Sequence, residues 1–76
     1  MIREHDRVVL TTAIPDEGLE AGDIGAVVHI YPQSAGFEVE FVTLTGRTAA
    51  VVTVAADQIR AVGSSEIPHA RELAHR

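Results

Sequence analysis

The sequence predicts a small all-β barrel, on three observations. Gly22-Asp23-Ile24-Gly25 joins a glycine-marked turn directly to the alternating apolar run that continues to Tyr31. Phe37-Glu38-Val39-Glu40-Phe41 alternates apolar and acidic side chains with period two, a pattern that a 3.6-residue helical period scatters. Further β-branched runs follow at short spacing within 76 residues, a length that suffices for one domain.

The elements follow in order. Arg7-Val8-Val9-Leu10-Thr11 is a strand rich in β-branched residues. Residues 12–22 form a long loop punctuated by Pro15 and Gly18, with Ile14 and Leu19 as apolar anchors that fold back onto the barrel. Residues 24–31 form the second strand, with Ile24, Ala26, Val28 and Ile30 on one face and Val27, His29 and Tyr31 on the other. Residues 32–36 are a turn in which Gly36 supplies a positive φ. Residues 37–41 form the third strand, with Phe37, Val39 and Phe41 inward, and a turn through Gly46 follows. Residues 48–54 are the fourth strand, apolar on both faces, and residues 55–59 are one helical turn with Ile59 tucked under the barrel. Arg60-Ala61-Val62 closes the sheet. The domain therefore spans 1–62, and 63–76 is a polar tail, mobile or weakly helical from Pro68 with Ile67, Ala70 and Leu73 on one side, rather than docked. Five short strands, a long first loop and a helical turn before the last strand describe an SH3-like barrel, which curls one sheet on itself and limits exposed edges.

Composition narrows the function. A domain of this size buries only about 60% of its unfolded surface. The absence of cysteine excludes a disulfide and a thiolate metal site. Six basic residues, all arginine, stand against eleven acidic ones, for a net charge of −5. Arginine without lysine is read as the codon bias of a GC-rich genome. An acidic domain repels phosphate backbones, so nucleic acid is not the favoured partner. The N-terminus through Asp6 is polar and charged, and the longest apolar run, 48–56, falls short of the about 20 residues that span a bilayer, so the expected location is the cytoplasm, away from membranes.

Asp6, Val8-Val9-Leu10-Thr11, Pro15, Gly18-Leu19, Gly22-Asp23, Gly25, Val27-Val28 and Tyr31, followed by Phe37-Glu38-Val39-Glu40-Phe41-Val42, Gly46, Thr48, Ala50-Val51 and Thr53-Val54, resemble a bacterial family of short proteins, a domain of unknown function. The resemblance covers roughly residues 4–62. It implies an SH3-like fold and a bacterial origin, and it brings no catalytic residues. The Gly22-Asp23-x-Gly25-x-Val27 core also looks like KOW-type modules and like the SH3-like domain of the nitrile hydratase β subunit, which packs on a catalytic partner. The chain departs from the KOW pattern in its acidic loop and lack of lysine. With no tryptophan, and with two of its three aromatics assigned to the core, it also lacks the aromatic groove that proline-rich ligands need.

Two constellations remain. Asp16, Glu17, Glu20 and Asp23 crowd one loop; they read either as a solvated loop in which Asp23 caps a turn, or as a lure for a cation or a partner's arginines. Their spacing is not that of a calcium loop. Of the four histidines His5, His29, His69 and His75, none clusters as zinc ligands do. His29 projects from a strand beside Tyr31 and reads as a surface residue, a general base needing a nearby carboxylate or nucleophile. No phosphate loop and no nucleophile–base spacing is present. The second face of the strands is the open question. Val9, Val27, Tyr31, Ala49 and Val51 exceed what so small a barrel holds, so some form an apolar patch, meet the tail or lie scattered on the surface. The expected function is a non-catalytic module, without cofactor, that binds another protein or a second copy of itself. The partner is expected to be encoded nearby, as for an accessory subunit, antitoxin or immunity protein, and the candidate interface is Val9, Val27, His29, Tyr31 and Val51. The alternative is a KOW-like nucleic-acid or ribosome-associated module.

Overall fold

The computed structural model of the chain describes residues 1–73. Five strands, β1 (Arg7–Leu10), β2 (Ile24–Ile30), β3 (Phe37–Val42), β4 (Thr48–Val54) and β5 (Ile59–Ala61), form one antiparallel sheet in the order β4-β3-β2-β1-β5. Single 3-10 turns at Pro15–Glu17, Pro32–Ser34 and Ala56–Gln58 are the helical content. The all-β class, the number of strands and the helical turn ahead of the last strand agree with the reading of the sequence. That last turn is fastened to the end of β1: the Thr11 amide donates to the Gln58 carbonyl, and the Thr11 hydroxyl donates to the Asp57 carbonyl.

The concave side of the sheet is filled. Val8, Leu10, Val27 and Val39 are fully buried, and Leu19, Phe37, Phe41, Val52, Val54 and Ile59 close around them. Ile2, Ile14 and Ile30 pack against this cluster from its rim. Among the described residues no polar or charged side chain is buried. The interior is thus entirely apolar, and its burial supplies the stabilisation.

Strand β2 corrects the expected face. Val27, assigned to the outer side, is fully buried, whereas Ile24 and Val28 are 37% and 41% exposed. Gly25 sets the parity. A Cβ there would stand 2.6 Å from Val39 Cγ1, 2.8 Å from Phe41 Cε2 and 2.9 Å from the Glu40 carbonyl oxygen, so β2 crosses β3 closely with Gly25 facing inward. Val27 shares that face by period two. A bulge then intervenes: Val27 pairs with Val39 and His29 with Glu38, so Val28 is the extra residue. The bulge leaves His29 outward beside Val28 and returns Ile30 to the core rim. The turn after β2 is also corrected. Its positive φ falls on Gln33, at 60°, while Gly36 serves to let the Val54 carbonyl approach, at 3.3 Å from where a Cβ would lie.

The tail departs from the expected mobile or weakly helical form as well. After a turn at 64–65 the chain runs to residue 73 without regular structure, and no helix starts at Pro68. It is tied back to the sheet at two points, described below. Residues 74–76, with His75, lie outside the described residues.

Candidate interaction surface

The convex side of the sheet is built by the residues that the core leaves out. Register aligns Val9 with Ile24 across β1 and β2, Ala26 with Glu40 across β2 and β3, and Glu40 with Val51 across β3 and β4. The tail crosses the β1 end of this side. Arg60, opposite Val9 on β5, grips Glu66 with two parallel hydrogen bonds of 2.9 and 2.7 Å, and the Gly63 amide donates to the same carboxylate at 2.6 Å. Further on, Arg71 Nε and Nη2 donate to the two Asp23 carboxylate oxygens at 2.8 and 2.5 Å, and Nη2 also donates to the Gly18 carbonyl at 3.0 Å. The tail therefore straps the outer face. Val9, which points away from the core, is only 5% exposed.

Between strap and sheet lies an open groove of ≈ 590 Å³. Ile24, Val42 and Leu44 line it from the sheet side, and Val62, Ile67 and Leu73 from the tail side. Leu44 and Ile67 are the most exposed of these, at 86% and 85%. None of the five residues expected to form an interface contributes to this apolar rim, apart from the covered Val9 at its floor.

The fate of each predicted site residue can now be stated. Val27 is core, which removes it from any interface. Val9 is beneath the tail, one of the outcomes that the crowded second face left open. Val51 is exposed on β4. His29 and Tyr31 meet edge to face with ring centres 4.7 Å apart. His29 Nδ1 stands 3.9 Å from a Glu4 carboxylate oxygen, with both side chains about half exposed. The Tyr31 hydroxyl donates to Glu38 at 2.5 Å, and the Thr53 hydroxyl reaches the same oxygen at 3.4 Å. The hydrogen bond to Glu38, with some desolvation, raises the Tyr31 pKa above the ordinary phenol value. His29 thus has a carboxylate nearby, and the Tyr31 and Thr53 hydroxyls of this open surface cluster are both turned to Glu38.

The acidic loop divides into two. Asp23 caps its own turn, accepting from the Glu20 amide at 2.8 Å, and together with Glu20 (3.6 Å from Arg71) it holds the tail. The arginine that these acids attract is the chain's own. Partial burial pushes the Asp23 carboxyl up; hydrogen bonds from Arg71 and the Glu20 amide outweigh it, so its pKa lies below the usual carboxylate value. Asp16 and Glu17 sit apart, on the Pro15–Glu17 turn, where they flank the middle of β4. Among the described residues no three acidic, histidine or cysteine side chains converge as metal ligands would. No helix among them is long and apolar enough to cross a membrane.

The apolar groove residues missed in the sequence are Val42 and Leu44, whereas Ile67 and Leu73 are read there as one side of the tail and not as a wall of the groove. Val42 extends the alternation of β3 by one outward position, a signal within reach. Leu44 sits in a turn, where no periodicity marks it. A family model described as "Domain of unknown function (DUF4926)" matches residues 4–61. No curated protein and no solved structure matches the chain.

Proposed function

The chain belongs to the DUF4926 domain family, and on the geometry above we propose that it is a non-catalytic module that acts by binding another protein. One observation carries this reading: the fold spends its interior on an unbroken apolar core, and the side chains left over form an apolar groove on the outside. Apolar groups lining a groove, rimmed by charged ones, are the usual anatomy of a protein contact site. The acidic surface favours a partner with basic groups and disfavours phosphate backbones. In this reading the chain is a bacterial cytoplasmic accessory subunit, antitoxin or immunity-like protein whose partner is encoded beside it.

The test is affinity capture with the tagged full chain from its native host, beside the Leu44→Asp variant, together with filter binding of mixed-sequence RNA and DNA across a salt series. The expected result is one protein retained in stoichiometric amount by the native chain, reduced with the variant, and no nucleic acid retained. Nucleic-acid binding that falls steeply with salt would overturn the reading in favour of a KOW-like module.

A further inference from the structure

Strand β4 ends the sheet, and its outer edge has no neighbour. It pairs with β3 on one side, and among the described residues no backbone hydrogen bond reaches it from the other. Every second residue of an edge strand turns its N–H and C=O outward, so β4 offers a row of unmet donors and acceptors. Such edges are ordinarily blunted by shortness, charge or proline. The opposite edge follows that rule, since β5 is three residues long and carries Arg60 with Glu66 folded over it. β4 does not. It is seven residues long, Thr48-Ala49-Ala50-Val51-Val52-Thr53-Val54, with no charge and no proline, and its bulge at Ala49 lies at the start of the strand, ahead of the regular run from Ala50 to Val54.

A cleft of ≈ 380 Å³ runs along this edge, lined by Val51, Val52 and Thr53 on one side and Ile14, Asp16 and Glu17 on the other. Consecutive strand residues point to opposite faces. A cleft touched by three in succession therefore follows the edge of the strand and not a face. The cleft thus combines an open backbone ladder, apolar side chains and two acids.

We infer that the free edge of β4 is the docking site for an extended segment of another protein that carries lysine or arginine beside its β-branched positions. The segment adds as a sixth strand; main-chain hydrogen bonds hold it, and Glu17 selects its charge. The acids also decide against a second copy of this chain as occupant. Two β4 edges brought together would bring both acidic pairs to one seam, in a molecule already at −5. This inference rests on the reading of the chain as a protein-binding module and names the surface and the kind of partner.

The test selects a phage-displayed random dodecapeptide library on the full chain and synthesises the enriched peptide. Amide hydrogen exchange is then followed residue by residue with and without it. Enriched peptides should alternate β-branched residues, carry lysine or arginine, and slow the exchange of every second β4 amide. N-methylation of alternate peptide amides should abolish binding. The variant Glu17→Gln, which alters one exposed side chain, should weaken binding about two- to fivefold, the worth of one exposed ion pair. Peptides without basic residues and indifferent to that variant would overturn the inference, and so would a failure to enrich any peptide. A dimer whose β4 amides are protected without peptide would overturn it in favour of self-pairing. Protection confined to Leu44 and Ile67 would sink the edge while leaving the protein-binding reading intact.

Discussion

Val27 and Val51 are both valines in strands, and their environments are opposite. Val27 has no exposed surface, and Val51 is 49% exposed. Val27→Ala should therefore cost about 2 kcal/mol through lost burial and the cavity left behind. Val51→Ala should change stability by less than about 0.5 kcal/mol. Urea unfolding of the two variants checks this, and equal losses would mean that the parity of β2 is wrong. Gly25 supplies an independent check on the same parity. Gly25→Ala forces a methyl group against Val39, Phe41 and the Glu40 carbonyl, and the carbonyl belongs to the backbone and does not swing aside. The expected cost is about 1–3 kcal/mol, which in a domain of this size lowers the thermal midpoint by at least about 4 °C.

The tail acts as an element although it has no regular structure. Its first clasp depends on Glu66, whose hydrogen bonds from Arg60 and the Gly63 amide hold its pKa at about 2, below its ordinary 4.5. A carboxyl depressed in the folded state contributes fully above its unfolded pKa and loses that contribution as pH falls through the folded value. The clasp should therefore be intact above about pH 4.5 and open as pH approaches 2. Carboxyl carbon shifts followed by NMR through an acid titration would show this, and a Glu66 midpoint near 4.5 would contradict it. The second clasp is tested by Arg71→Ala. Half-buried Asp23 then keeps its desolvation without its guanidinium partner, so its pKa should rise, and solvent exchange at Val9 should accelerate. An unchanged Asp23 titration would show that Arg71 is not engaged in solution.

At the scale of the whole molecule, the division is between a filled concave side and an outer surface crossed by the tail and grooved beside it. Much of the first was legible in the sequence. The alternation in Phe37-Glu38-Val39-Glu40-Phe41 placed β3 and its inward residues, and Ala50, Val52 and Val54 were correctly grouped on one face of β4. Period-two reading separated the two faces of β2 but did not tell which of them is inward, since Ile24 and Val28 are as apolar as Val27. A bulge at Val28 breaks the parity, and an apolar run with valine or isoleucine on both faces hides the break. The surface was less legible for a related reason. Arg71 and Asp23 lie 48 positions apart, so their pairing is a product of the fold, and no local pattern announces it. The acidic loop was found, and its division between the chain's own tail and the edge of β4 was not.

The most direct test of the account places a photo-crosslinking amino acid singly at Leu44, at Val51 and at Gln33 in the full chain and irradiates the native host. Leu44 lines the groove, Val51 lies on the free edge, and Gln33 sits in an exposed turn away from both. The account predicts a protein adduct of one defined mass from Leu44 or Val51 and none from Gln33. Adducts to nucleic acid, or equal and heterogeneous labelling from all three positions, would contradict it.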